Sequence, residues 1–129
     1  EISVDGFFMR NRLWYWMLMK DEDFTERIIY RYRKLRKGIL SEQALDNYID
    51  ETIAFIEPAL ERNDERWGDV SGQANLLVPA ERNLSSRSAA IGQLKGYLHN
   101  RGDWMDTYIE TLRQYSSPSK VKEYNEVND

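Results

Sequence analysis

Residues 23–38, DFTERIIYRYRKLRKG, decide how the rest of the chain is read. Phe24, Ile28, Ile29, Tyr32 and Leu35 recur at helical spacing, so a helix gathers them on one face. Asp21, Glu22 and Asp23 stand at its start, while Arg27, Arg31, Arg33, Lys34, Arg36 and Lys37 crowd towards its end. Acid first and base last is the distribution that the helix macrodipole favours. Gly38 supplies a natural C-terminal stop. The pattern predicts a helix over about 23–37.

Working outward, the same period predicts four more helical stretches and little strand. Upstream, residues 6–20 carry Phe7, Phe8, Leu13, Trp14, Trp16, Met17 and Leu18 nearly all the way round, as expected of a helix covered on several sides. Downstream, Ser41 can cap a third helix in which Leu45, Tyr48, Ile49, Ile53, Ile56 and Leu60 form one stripe. Pro58 falls inside that stripe and predicts a kink or a break near Phe55. The pattern ends at Arg66-Trp67-Gly68. Residues 69–82 read as a loop with Gly72, Asn75 and Pro79 as breakers, longer than the usual connection. Ser85 or Ser86 can cap a fourth helix bearing Ile91, Leu94, Tyr97 and Leu98, with Gly102 as its stop. Asp103 can cap a fifth, with Trp104, Met105, Tyr108, Ile109 and Leu112 on its apolar side. The fold expected is all-α, an irregular five-helix bundle whose third helix is kinked or broken near Pro58. Residues 1–115 form the helical segment and residues 116–129 a tail that frays.

Bulk composition supports a folded chain and narrows its chemistry. A hydrophobic fraction of 41% in 129 residues, with four Trp and eight Tyr, is too much apolar surface for a disordered chain. A formal charge of −4 gives no global field for nucleic acid. No cysteine is present, which excludes disulfides, thiolate metal sites and thiol nucleophiles. The longest apolar run, Leu13 to Met19, is far short of the ~20 residues that cross a bilayer. Glu1-Ile2-Ser3-Val4-Asp5 carries no initiator Met, no basic n-region and no cleavage signature, so either something was removed upstream or the boundary is an artificial one.

A di-metal bundle needs Glu-x-x-His pairs, but the sole histidine, His99, has Gly96 three residues before it. The acids Asp21, Glu22 and Asp23 lack an EF-hand pattern and read as favourable charge at a helix start. The basic cluster reads as the matching helix end, with a phosphate- or nucleic-acid-binding face as its sharper alternative. Trp14 and Trp16 read as core packing rather than a membrane anchor, since no Lys/Arg-rich polar face accompanies them. No Gly-x-Ser-x-Gly elbow or phosphate-cradling loop occurs. Glu57 and Glu61 share a helix face and read as exposed acids. Asn83-Leu84-Ser85 matches a glycosylation acceptor. No catalytic, cofactor-binding or metal-binding residue is therefore assigned.

Two clusters stand out from the surface. Arg62-Asn63-Asp64-Glu65-Arg66-Trp67-Gly68 closes one helix, and Arg101-Gly102-Asp103-Trp104-Met105-Asp106 starts another. Arg beside Trp can stack or form cation–π contacts, and Arg can pair with a carboxylate at a helix junction. The candidate structural or partner-binding residues are Arg62, Arg66, Trp67, Arg101, Trp104 and Asp106. Their readings are locked helix corners or a rim for an anionic ligand or partner.

These clusters also carry a resemblance. Trp16-Met17-Leu18 followed by Asp21, Phe24 and Arg31, the Arg62-Asn63 to Arg66-Trp67 junction, and Gln93-Leu94-Lys95 with Leu98, Arg101 and Trp104-Met105-Asp106 resemble the C-terminal region of the spore-coat CotH kinase-like family. The likeness spreads over about residues 13–112. It implies a secreted or spore-coat-associated atypical protein kinase fold that uses ATP and a divalent metal. The family's catalytic base and metal-binding aspartates belong to motifs preceding this region, an Asp-x-Asp followed by an aromatic and a glycine. Val4-Asp5-Gly6-Phe7-Phe8 is superficially similar but lacks the paired aspartate. The expectation is thus a helical support and substrate-shaping segment, not catalytic in isolation. Its partners would be the upstream catalytic portion of the parent chain and a protein substrate, with no nucleic acid and no membrane insertion. The alternative is a stand-alone helical module that binds a protein or the cell envelope.

Overall fold

The computed structural model describes residues 3–8, 13–68 and 83–116. Among these the chain is all-helical, with four α-helices: α1 (Leu13–Leu18), α2 (Glu22–Arg36), α3 (Glu42–Trp67) and α4 (Arg87–Tyr108). A 3-10 helix, Ile109–Tyr115, follows α4 directly. The expected loop over 69–82 and nearly all of the expected tail over 116–129 lie outside the described residues.

Helix ends follow local chemistry where side chains can reach them. Asp21 adopts an extended backbone and its carboxylate accepts the Phe24 N–H at 2.7 Å, an N-cap that satisfies one orphan donor of α2. At the other end Gly38 and Leu40 both donate to the Leu35 carbonyl at 2.9 Å. Ser86 accepts the Ala89 N–H at 3.1 Å and caps α4. Gly68 closes α3 with a φ of +78°, a left-handed conformation that glycine adopts without steric cost.

Three expectations need correction. The five stretches are four α-helices, because the fourth and fifth are one: α4 runs through Gly102 and Asp103 without interruption. A glycine weakens a helix by only about 1 kcal/mol, so tertiary contacts can carry the helix across it. Secondly, α3 is not broken at Pro58 but continues as one helix to Trp67. Proline removes a single bond to the carbonyl four residues earlier. Here both Pro58 and Ala54 are exposed, so solvent can take that carbonyl. Thirdly, the first helix does not begin at Gly6, which has a φ of +87°; the described helix starts at Leu13. Trp14, expected in the core, is 76% exposed, whereas Trp16 packs against the core.

The chain divides into two compact units. One comprises Ile2–Ser41 with Asn100–Asp129, the other Glu42–His99, so α4 contributes its last turns to the first and its earlier turns to the second. The first unit holds the core: Met19, Ile29, Ile109, Leu112 and Tyr115 are buried, with Phe24, Ile28 and Met105 packed against them. Here α2 lies against the 3-10 helix. Thr25 is fully buried, and its hydroxyl donates to the Met19 carbonyl at 3.2 Å. The Trp16 ring meets that of Tyr115 edge-on, centroids 6.0 Å apart.

The second unit is a helix pair with no fully buried residue in α3 or α4. Asp46 pairs with His99 at 2.9 Å, Asp50 with Lys95 at 2.7 Å, and Arg87 with Glu57 at 3.6 Å and with Asp64. As positions rise along α3 their partners fall along α4, so the two run antiparallel. Leu45, Ile49, Ile53 and Leu60 lie half-buried on the same side of α3 as these acids. Tyr48, expected in that stripe, is instead exposed, as are Phe55, Arg62 and Arg66 at seven- and four-residue intervals beyond it. They share the opposite face of α3.

Ile109 is 1% exposed at the centre of the first unit. Ile109→Ala removes its packing and leaves a cavity, and is expected to lower stability by about 2–4 kcal/mol in urea unfolding followed by tryptophan fluorescence.

Candidate functional site

The six candidate residues fall into two separate groups. Arg101, Trp104 and Asp106 occupy consecutive turns of α4 in the first unit, whereas Arg62, Arg66 and Trp67 end α3 in the second.

Asp106 is the most heavily engaged of the six. One carboxylate oxygen accepts the Tyr32 hydroxyl at 2.8 Å and the other accepts Nε of Arg36 at 2.9 Å. Arg33 stands 3.7 Å from the first oxygen. The same guanidinium donates to the Asp106 backbone carbonyl at 2.9 Å and to Glu110 at 3.2 Å. This carbonyl lies in the last turn of α4, where acceptors run out of helical donors and a cation is favoured. Arg36 is only 13% exposed; it also donates to the Leu40 carbonyl at 2.8 Å and faces Asp103 at 3.8 Å. The Asp106 carboxylate is thus consumed in orienting α2 against α4, and it has the chemistry of a clamp rather than a general base.

Gly102 completes the clamp. Its carbonyl accepts the Tyr32 hydroxyl at 3.2 Å. A Cβ built on it would lie 2.5 Å from Nη2 of Arg36 and 2.6 Å from Cζ. The glycine is in α4 because the Arg36 guanidinium lies against its backbone, not because the helix stops there.

One turn away, the Arg101 guanidinium lies 5.0 Å from the Phe8 ring centroid and 4.8 Å from that of Trp104. It donates to the Val4 carbonyl, which ties the segment 3–8 to α4. Trp104 in turn meets Phe7 edge-on at 4.9 Å and Tyr108 at 5.0 Å. In the second unit Arg66 lies 5.1 Å from the Trp67 ring, which is 70% exposed. Arg62 is exposed.

Electrostatics follows these contacts. Removal from water, reinforced by the hydrogen bond to Asp106 and its negative charge, pushes the Tyr32 hydroxyl up to about 12. Arg113 forks onto Glu26, with Nε to Oε1 at 2.5 Å and Nη2 to Oε2 at 3.0 Å. That hydrogen bond holds the Glu26 carboxyl below its usual range and raises Arg113. His99 is engaged by Asp46, and Glu57 by Arg87 rather than Glu61. Among the described residues no three His, Asp or Glu side chains gather as metal ligands would.

The roles of Tyr32, Arg33 and Arg36 escaped sequence reading, which placed the two arginines in a general basic cluster. A signal existed: Tyr32, Arg33 and Arg36 fall at the spacing of the apolar residues Ile29 and Leu35, on the side of α2 that is covered.

Comparison with known proteins gives one match. A sequence model of the family described as CotH kinase protein matches residues 5–105, which takes in every candidate residue except Asp106. No curated protein and no solved structure matches the chain.

Gly102→Ala should gain about 1 kcal/mol in helix propensity and lose more by displacing Arg36, whose charge-assisted bonds are worth about 1.5–3 kcal/mol. Unfolding experiments should therefore show net destabilisation of about 1 kcal/mol, and the same substitution should become stabilising in an Arg36→Ala background. Tyr32 gives a second check. Its raised pKa means that folding favours the neutral phenol, so this contribution is complete below pH 10 and is lost as pH rises through about 12. Stability should fall across that window, and Tyr32→Phe should fall less steeply.

Proposed function

The chain belongs to the CotH kinase protein family, and on that premise we propose that it is a helical support and substrate-shaping segment of a CotH-like protein kinase, without catalysis of its own. The observation that carries this reading is the outer face of α3. Phe55 is 86% exposed there, with Tyr48, Arg62, Arg66 and Trp67 also exposed, while the inner face is engaged by α4. Large aromatics on one helix face suit burial against a further protein surface. In this reading that surface is the catalytic portion of the family fold, which would hold ATP and the divalent metal. The carboxylates of these pairs do not fit that role: Asp106, Asp50, Glu57 and Asp64 each already serve a cation, and Asp46 is engaged by His99.

The location proposed, spore coat, cell envelope or extracellular space, rests on the family alone. Among the described residues no helix is long and apolar enough to cross a membrane. The exposed Arg66–Trp67 pair favours a second reading, a stand-alone module that binds a protein or an envelope polymer.

Incubated with labelled ATP, a protein acceptor and Mg²⁺ or Mn²⁺, the purified chain should transfer no phosphate; metal-dependent transfer would end the support reading. Phe55→Ser and Tyr48→Ser should change the chain's own stability by no more than about 0.5 kcal/mol. The same variants should weaken association with a separately expressed CotH-family catalytic portion. Unchanged association would favour the stand-alone module.

A further inference from the structure

In the unit that holds the core, an apolar cavity of about 280 Å³ opens beside Arg101. Phe7, Phe8, Tyr15, Met105 and Leu112 are among its walls, and among the described residues Arg101 is the charged group on them. At about 30 Å³ for each water-sized group, this space admits roughly nine non-hydrogen atoms.

Arg101 differs from the other arginines that bridge helices. Arg33, Arg36, Arg87 and Arg113 each face at least one carboxylate within 4 Å. Arg101 has no carboxylate partner among the described residues; Nη1 donates to the Val4 carbonyl, and aromatic rings flank the planar group. A half-buried guanidinium near two aromatic rings, with donors left over and an apolar cavity at its side, has the parts of an anion site joined to a hydrophobic slot.

We propose that this cavity binds a small amphipathic monocarboxylate. The carboxylate takes the remaining Arg101 N–H donors and an apolar tail of about six to eight carbons fills the cavity. Among the described residues the walls supply one cation and almost no other polar group, so a second charge on the ligand would find no partner there. That selects a monocarboxylate over a dicarboxylate or an organic phosphate. The site is independent of the outer face of α3, so support function and ligand binding can fail separately.

Octanoate is the probe, titrated into the full chain by calorimetry and by quenching of tryptophan fluorescence. Saturable one-to-one binding is expected, at least tenfold tighter than that of octanamide, which matches its shape without the charge. Arg101→Gln should abolish the preference for the acid while far-UV circular dichroism stays unchanged, and Arg101→Lys should retain part of it. If Arg101→Gln does not fold, the octanoate–octanamide comparison on the unaltered chain decides alone. Equal affinity for the two, no saturable octanoate binding, or undiminished binding by folded Arg101→Gln would each overturn the proposal. So would a dimer in sedimentation whose stability octanoate leaves unchanged, since a second copy would then be covering the cavity.

Discussion

Asp106 takes a phenol and one guanidinium on its two carboxylate oxygens, with a second guanidinium alongside, and each of those partners comes from α2. A carboxylate so engaged is worth more than an exposed surface pair, because Arg36 is nearly out of solvent and would lose its 2.9 Å carboxylate partner. The clamp fixes the register of α2 against the end of α4. From that register follow the position of the 3-10 helix and the closure of the Met19, Ile29, Ile109, Leu112 and Tyr115 core. The fork of Arg113 onto Glu26 repeats the device at the opposite end of α2, where solvent is freer and each pair counts for less.

The two units rest on different physics. Around Ile109, apolar burial supplies the bulk of the stabilisation and polar groups orient it. Between α3 and α4 no side chain is fully buried, and acids on one helix meet bases on the other along a half-buried apolar seam. Each such pair contributes about 0–1 kcal/mol, so the helix pair is held mainly by that seam. The exposed aromatics on the far side of α3 are apolar surface that α4 does not cover, which is the physical basis of the support role proposed for it.

Much of this was legible in the sequence wherever one residue acts on its own backbone. Asp21 caps α2, Ser86 caps α4 and Gly68 ends α3, each within four positions of the atoms it serves. Reading failed where a distant partner decides. Gly102 looks like a stop until Arg36 is placed against it. Pro58 looks like a break until its neighbours prove exposed, and Tyr48 looks like core until α4 fixes which side of α3 is covered. The candidate cluster at Arg101, Trp104 and Asp106 was visible as an unusual density of Arg, Trp and Asp. What those residues do was not, because the groups that define their roles, Phe8 and Val4 for Arg101 and the α2 trio for Asp106, lie some 70 to 97 positions away.

That separation has a kinetic meaning. Helical proteins fold fast because their contacts are local, and non-local contacts must first overcome loop-closure entropy. Here the contacts that define the core unit bridge the whole of Glu42–His99, with Tyr32 reaching Asp106 across 74 positions and Arg113 reaching Glu26 across 87. The chain is helical in its local structure, yet the side-chain contacts that close its core unit are non-local. Closing the core unit therefore requires two distant segments to meet, as well as the winding of its helices.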